Sequence, residues 1–131
     1  MEKIKTDIIS FLDKEIEKLE KQIKGHYAVL ENDGIDFFLQ NSAGILYTLQ
    51  NRRAILTHTK TDIMGCTTFD TKEKVISYFQ DKITELTESL FRKTYTNTNP
   101  MLNLINQWLR NDASNVRSIY KSCLAIINKH K

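Results

Sequence analysis

Two stretches of the sequence carry large apolar residues at alternating spacings of three and four. Such spacing places the apolar side chains along one face of an α-helix. The first stretch predicts a long N-terminal helix over residues 2–24 that stops at Gly25, and the second predicts a helix that begins at Asp70. The same spacing would let two copies of the chain pair through these helices. The two stripes are Ile9, Leu12, Ile16, Leu19 and Ile23, and Ile76, Phe79, Ile83, Leu86 and Leu90.

The region between these helices has few charges and many aromatic and β-branched residues. Turn-forming residues recur within it at Asp33-Gly34, at residues 41–44 and at residues 51–52. An Asp-Gly pair between two apolar runs is typical of a β-hairpin. We therefore expect a small antiparallel β-meander over about residues 27–69.

A helical interpretation competes with the meander, because short apolar runs fit either period. If the first helix continued beyond Gly25 through Tyr27 and Leu30, the whole protein would be an all-α helical bundle. The residues that fit a helical period across the middle region are Ile35, Phe38, Ser42, Ile45, Leu49, Arg52 and Leu56.

Two further helices are expected after the second apolar stripe. Asn99 followed by Pro100 is typical of a helix start, with Asn as the cap and Pro at the first helical position. Residues 111–114 indicate a break between a short helix and a last helix. The predicted fold is thus α+β in a single domain of residues 1–131, with the long N-terminal helix, the meander and three C-terminal helices. The last helix is expected to bury Val116, Ile119, Tyr120, Cys123 and Ile127.

The positive charge of the chain is concentrated in its second half. The formal net charge is +3, with nine basic against ten acidic residues in 1–65 and ten against six in 66–131. Such asymmetry favours contact with an anionic partner. No apolar run approaches the length of a membrane span, and the N-terminus lacks the apolar centre of a signal peptide. We therefore expect a cytoplasmic protein with no membrane partner.

Arg52 and Arg53 form the one adjacent arginine pair of the sequence, in a weakly charged stretch. A guanidinium group suits a carboxylate or a phosphate. Together with His58, these residues predict a binding site for an anionic ligand. The alternative is that the arginines pair with acidic residues of the first helix, such as Glu17 or Glu20.

A second set of basic residues lies in the C-terminal part of the chain. Arg117 and Lys121 fall near one outward face of the expected last helix, where they would contact phosphates or an acidic protein surface. The predicted contact residues are Arg110, Arg117, Lys121 and Lys131.

The sequence lacks the motifs that mark common catalytic, metal and nucleotide sites. Its three histidines form no metal-binding pair, and neither a Gly-rich phosphate loop nor a nucleophile elbow is present. We therefore predict no enzymatic activity, no metal and no cofactor. An active site of unrecognised type would draw on Asp36, His58 and Cys66.

The predicted function is that of a small non-enzymatic interaction protein, which binds a protein partner and self-associates through its long helices. The bias toward Ile, Lys, Asn and Thr is typical of AT-rich genomes, including those of phages and mobile elements. It favours an inhibitor or regulator of that type. The alternative is a nucleic-acid- or nucleotide-binding protein that uses the basic C-terminal helix or the Arg52/Arg53 pair.

Overall fold

A computed structural model describes residues 1–65, 69–91 and 99–130, which form five α-helices and no strand. The expected β-meander was wrong, and the all-α alternative is correct. The helices are α1 (Glu2–Asp33), α2 (Ile35–Asn41), α3 (Ala43–Gly65), α4 (Lys72–Phe91) and α5 (Pro100–Lys129).

The middle region is helical because its apolar residues form a stripe that packs against α1. Leu49, Leu56 and Ile63, spaced seven residues apart, are all buried in the core. The aromatic and β-branched content that favoured strands is a weak preference, which tertiary packing overrides. Of the residues expected on this helical face, Ile35 and Ile45 are instead exposed, at 57% and 50%.

Two of the three expected turns, at Asp33-Gly34 and at residues 41–44, join helices rather than strands, whereas the turn expected at residues 51–52 was wrong because these residues lie inside α3. Gly34 separates α1 from α2 with φ 87° and ψ 168°, a backbone conformation that is essentially confined to glycine. Ser42 separates α2 from α3 with φ −127°, so the chain bends there with little loss of helical hydrogen bonding. The expected stop at Gly25 was wrong, since α1 continues for eight residues beyond it.

The second half of the chain contains two described helices rather than three. Asn99 caps α5 as expected, because its side-chain oxygen accepts a hydrogen bond from the Met101 backbone N–H at 2.9 Å. The break expected at residues 111–114 was wrong, and α5 is continuous over 30 residues. The cap of α4 is Thr71, whose hydroxyl oxygen accepts from the Lys74 N–H at 3.3 Å, and not Asp70.

The helices form two antiparallel pairs that α5 joins together. Helix α1 packs on α3, and α4 packs on α5. Helix α5 also contacts α1 and α3, so it touches every other long helix. The last helix buries the expected residues, with Ile119 only partly buried. Within α1, the buried stripe is Ile4, Ile8, Leu12, Leu19 and Ile23, with Ile9 and Ile16 at its edge.

Gly25 lies inside α1 and Gly34 directly follows it, and replacing each with alanine should change the stability in opposite directions. Gly25 lies inside α1 with open space where a Cβ would be, so Gly25→Ala should raise the free energy of unfolding by about 0.5–1 kcal/mol. Gly34→Ala should lower it by about 1–3 kcal/mol, because alanine strains the backbone at this φ. Urea denaturation followed by circular dichroism measures both changes. A loss of stability for Gly25→Ala would contradict the continuous α1.

Candidate functional site

The most constrained polar contact in the described structure is an ion pair between α3 and α5. Arg52 donates from Nε to Asp112 Oδ2 at 3.2 Å and from Nη2 to Asp112 Oδ1. Asn115 adds a third hydrogen bond, from Nδ2 to Asp112 Oδ1 at 3.0 Å. The Arg52 and Asp112 side chains are only 18% and 5% exposed. Because two donors meet two oxygens, this forked geometry fixes how α3 and α5 are aligned along their lengths.

This ion pair corrects two expectations about the residues that form it. Arg52 pairs with α5 rather than with Glu17 or Glu20 of α1, so that alternative was wrong for Arg52. The Asp112 carboxylate accepts from side chains and does not cap a helix, which explains why α5 continues through it. Since Arg52 is occupied by Asp112, it is not a free receptor for an anionic ligand.

A cavity of about 470 Å³ lies beside the ion pair, between α2, the first turns of α3 and the middle of α5. Gly44 forms one wall against Trp108, and a Cβ at Gly44 would lie 2.8 Å from two carbon atoms of the indole. The absence of a side chain at this position lets the ring approach α3 closely. The cavity lining also includes Leu39, Gln40, Asn41, Ile45, Thr48, Asn111 and Asn115.

Leu39 and Ile45 line this cavity with exposed apolar side chains, and other exposed apolar residues lie on the same helices. Leu39 and Met101 are 60% and 61% exposed. On α2, Ile35 and Leu39 are four residues apart and share a face, while Met101, Leu104 and Trp108 share a face of α5. We call the following set the apolar surface: Ile35, Leu39, Ile45, Tyr47, Met101, Leu104 and Trp108.

Apart from Ile35, which precedes Asp36, the apolar surface is built from two segments that contain no charged residue, 37–51 and 99–109. The cavity at its centre contains one cation and one anion, Arg52 and Asp112, which neutralise each other. Sequence reasoning recognised the first segment but interpreted it as strands. The second segment was missed, although its lack of charge over eleven residues was a readable signal.

Arg53 and His58 do not join Arg52 in a common site. Arg53, the next residue of α3, is partly exposed and does not line the cavity. His58 lies further along α3, where Nε2 is 3.6 Å from Asp62 Oδ2. The three residues expected to bind an anionic ligand therefore do not line a common cavity, and anion binding at Arg53 or His58 stays a prediction.

His58 is exposed and lies beside a hydrogen-bonded group between α3, α4 and α5 that includes Asp62. Tyr78 donates to Asp62 Oδ2 at 2.9 Å, and the hydroxyls of Thr59 and Tyr120 are 2.9 Å apart. Thr59 donates to the Ile55 carbonyl, so Tyr120 donates to Thr59. Burial raises the pKa of Tyr78 and of Tyr120 above the usual tyrosine value. Each of these hydroxyls has a partner, which indicates a structural rather than a ligand-binding role.

The expected basic contact residues lie along α5, but they do not form a uniformly free surface. Arg110, Arg117 and Lys121 are spaced by seven and four residues and therefore share a face of the helix. Arg117 donates from Nη1 to the Thr87 hydroxyl of α4 at 3.3 Å, whereas Lys121 is exposed. Lys131 lies outside the described residues. Contact of this face with nucleic acid or an acidic partner stays a prediction.

The residues considered for an active site of unrecognised type are described except for Cys66. Asp36 is exposed in the first turn of α2, His58 is on α3, and Cys66 lies outside the described residues. No group of His, Cys, Asp and Glu able to hold a metal ion occurs within the described ranges. None of the helices in those ranges has a stretch long and apolar enough to cross a lipid bilayer.

Comparisons with known proteins provide no relative from which a function could be transferred. No protein-family model, no curated protein sequence and no solved structure matches the chain. The function must therefore be inferred from the residues and contacts described above.

The buried ion pair makes a clear prediction for stability. Asp112→Ala leaves the Arg52 guanidinium buried without an anion and should lower the free energy of unfolding by about 3–5 kcal/mol. Replacing both residues with leucine should cost less than Asp112→Ala alone, because neither charge remains. Urea denaturation measures the differences.

Glu20→Ala is the matched control for this experiment, since Glu20 is an exposed acidic residue of α1. It should change stability by less than about 0.5 kcal/mol. A large loss for Glu20→Ala together with a small one for Asp112→Ala would show that Arg52 pairs with α1 instead.

Proposed function

We propose that the protein is a non-enzymatic interaction protein that self-associates through the apolar surface. The observation that supports this most is the exposure of large apolar side chains on two charge-free segments that meet at one cavity. The largest apolar patch on a protein surface is often an interaction site. Self-association of this kind is compatible with a small regulator or inhibitor that acts by binding another protein.

The size of the apolar surface suits a specific interface. Six of its side chains are exposed by between 41% and 61%. They present on the order of 500 Å² of apolar area, if a large side chain has about 150–200 Å² to expose. A specific interface covers about 800 Å² on each partner, including its polar rim. The amide side chains around the cavity, such as Asn41, Asn111 and Asn115, supply such a rim.

A second copy of this chain is the partner that the charges favour. In a symmetric dimer each residue of the interface faces the same surface on the other copy. A charged surface would therefore repel itself, whereas segments 37–51 and 99–109 carry no charge. The seams of α1 and α4, through which self-association was expected, are largely occupied within the chain by α3 and α5. The proposed contact therefore differs from the one that the sequence predicted.

Sedimentation equilibrium over a range of concentrations tests this proposal. The wild-type chain of 15.3 kDa should show a dimer at high concentration. Leu39→Lys combined with Met101→Lys should shift the equilibrium to the monomer, because the lysines place like charges across the contact. Both positions are exposed, so the variant should retain the helical circular dichroism of the wild type.

Met64→Lys is the matched control, since Met64 is 62% exposed at the far end of α3 and lies outside the apolar surface. It should dimerise as the wild type does. A wild-type chain that stays monomeric up to about 1 mM would overturn the proposal, because its dimer would then be too weak to form at cellular concentrations.

A further inference from the structure

A second cavity lies at the opposite end of α3 from the apolar surface, between the first turns of α1 and the last turn of α5. Its volume of about 500 Å³ is within the range of small-molecule sites. Lys3, Asp7 and Lys14 contribute from α1, and Lys129 and His130 from the end of α5. It shares no residue with the apolar surface.

Basic residues outnumber acidic residues in the lining of this cavity. Asp7 is the one acidic residue in its lining, and its Oδ2 is 2.8 Å from His130 Nε2. The ammonium groups of Lys3, Lys14 and Lys129 form no ion pair and no hydrogen bond with any residue that the structure describes. Other lysines are paired: Lys60 with Asp13 at 2.6 Å and Lys74 with Asp70 at 2.8 Å are examples.

Besides its charged residues, the lining of the cavity contains two apolar side chains and one hydroxyl group. Phe11 and Ile126 are partly buried and pack against the core from α1 and α5. Both line the cavity, as does the Ser10 hydroxyl. A ligand here would place an anionic group among the ammonium groups and an apolar group against Phe11 and Ile126.

We propose that this cavity binds a small organic phosphate monoester with an aromatic or aliphatic group. Lysine binds phosphate as a point charge, and a phosphate dianion gains more from three ammonium groups than a carboxylate does. Lys3 and Lys14 lie on one face of α1 about 16 Å apart along its axis, so their extended side chains would reach one phosphate from opposite sides. Ser10 lies between them and offers a hydroxyl donor. The apolar wall distinguishes the ligand from inorganic phosphate. This site is independent of the proposed self-association.

Isothermal titration calorimetry with phenyl phosphate tests the proposal, using the full chain. Phenyl phosphate should bind saturably, more tightly than inorganic phosphate, and more weakly as salt is added. Lys14→Glu combined with Lys129→Glu should weaken binding by about tenfold or more. In two-dimensional NMR, the amides of Ser10, Phe11 and His130 should shift on titration.

Lys24→Glu combined with Lys121→Glu is the matched control. It also changes one exposed lysine of α1 and one of α5, with the same change in net charge, but neither residue lines the cavity. This variant should bind phenyl phosphate within about twofold of the wild type, since exposed charges far from the site are screened.

Three results would overturn the proposal. They are equal weakening by the two double variants, equal affinity for inorganic and phenyl phosphate, and binding of a single-stranded oligonucleotide without any binding of phenyl phosphate. The last result would assign the basic residues to nucleic acid instead.

Discussion

The ion pair between Arg52 and Asp112 determines how the two helical pairs of this protein meet. Apolar contacts between helices are non-directional. A guanidinium fork on a carboxylate is directional, because two donors must meet two oxygens. The pair is nearly buried, and a third donor from Asn115 occupies the same carboxylate. Burying two charges has a substantial desolvation cost, so the contact contributes more to register than to net stability.

This register brings the first turns of α3 beside the middle of α5. Tyr47 and Trp108 lie with ring centroids 6.3 Å apart, and Gly44 admits the indole against the α3 backbone. Helix α2 is only seven residues long and buries little besides Phe38, which leaves its other apolar side chains exposed. The apolar surface is thus a consequence of the same contact that orders the core. Further along the same two helices, the hydroxyls of Thr59 and Tyr120 meet at 2.9 Å and continue the alignment.

Local sequence signals predicted the helices whose ends and faces are encoded nearby. The stripes of α1 and α4, the Asn99 cap and most of the buried face of α5 were readable, because residues three and four apart determine them. The structure of the middle region was not readable, because its apolar residues fit both a helical and a strand spacing. Only packing on α1 decides between the two. Arg52 was recognised as unusual, but its partner is 60 residues away and sat in a segment that local rules interpret as a break. The predicted helix end at Gly25 was wrong because a glycine inside a helix cannot be distinguished by sequence from one that follows a helix.

The candidate site was still harder to predict, since it combines side chains from two segments that are distant in sequence. Charge depletion in residues 37–51 and 99–109 was visible, but only the fold shows that the two segments adjoin. The same holds for the basic cavity, which joins the first turns of α1 to the last turn of α5. In both cases the sequence supplies the chemistry, and long-range packing decides which residues share a site.

Methyl NMR spectra over a dilution series test the central claim most directly, because they report on self-association residue by residue. The proposed contact predicts concentration-dependent shifts for the methyl groups of Ile35, Leu39, Ile45, Met101 and Leu104, and none for Met64. Shifts confined to the α1 stripe, for example at Ile9 and Ile16, would contradict it and restore association through the long helices. Spectra that do not change with concentration would show that the apolar surface does not bind a second copy.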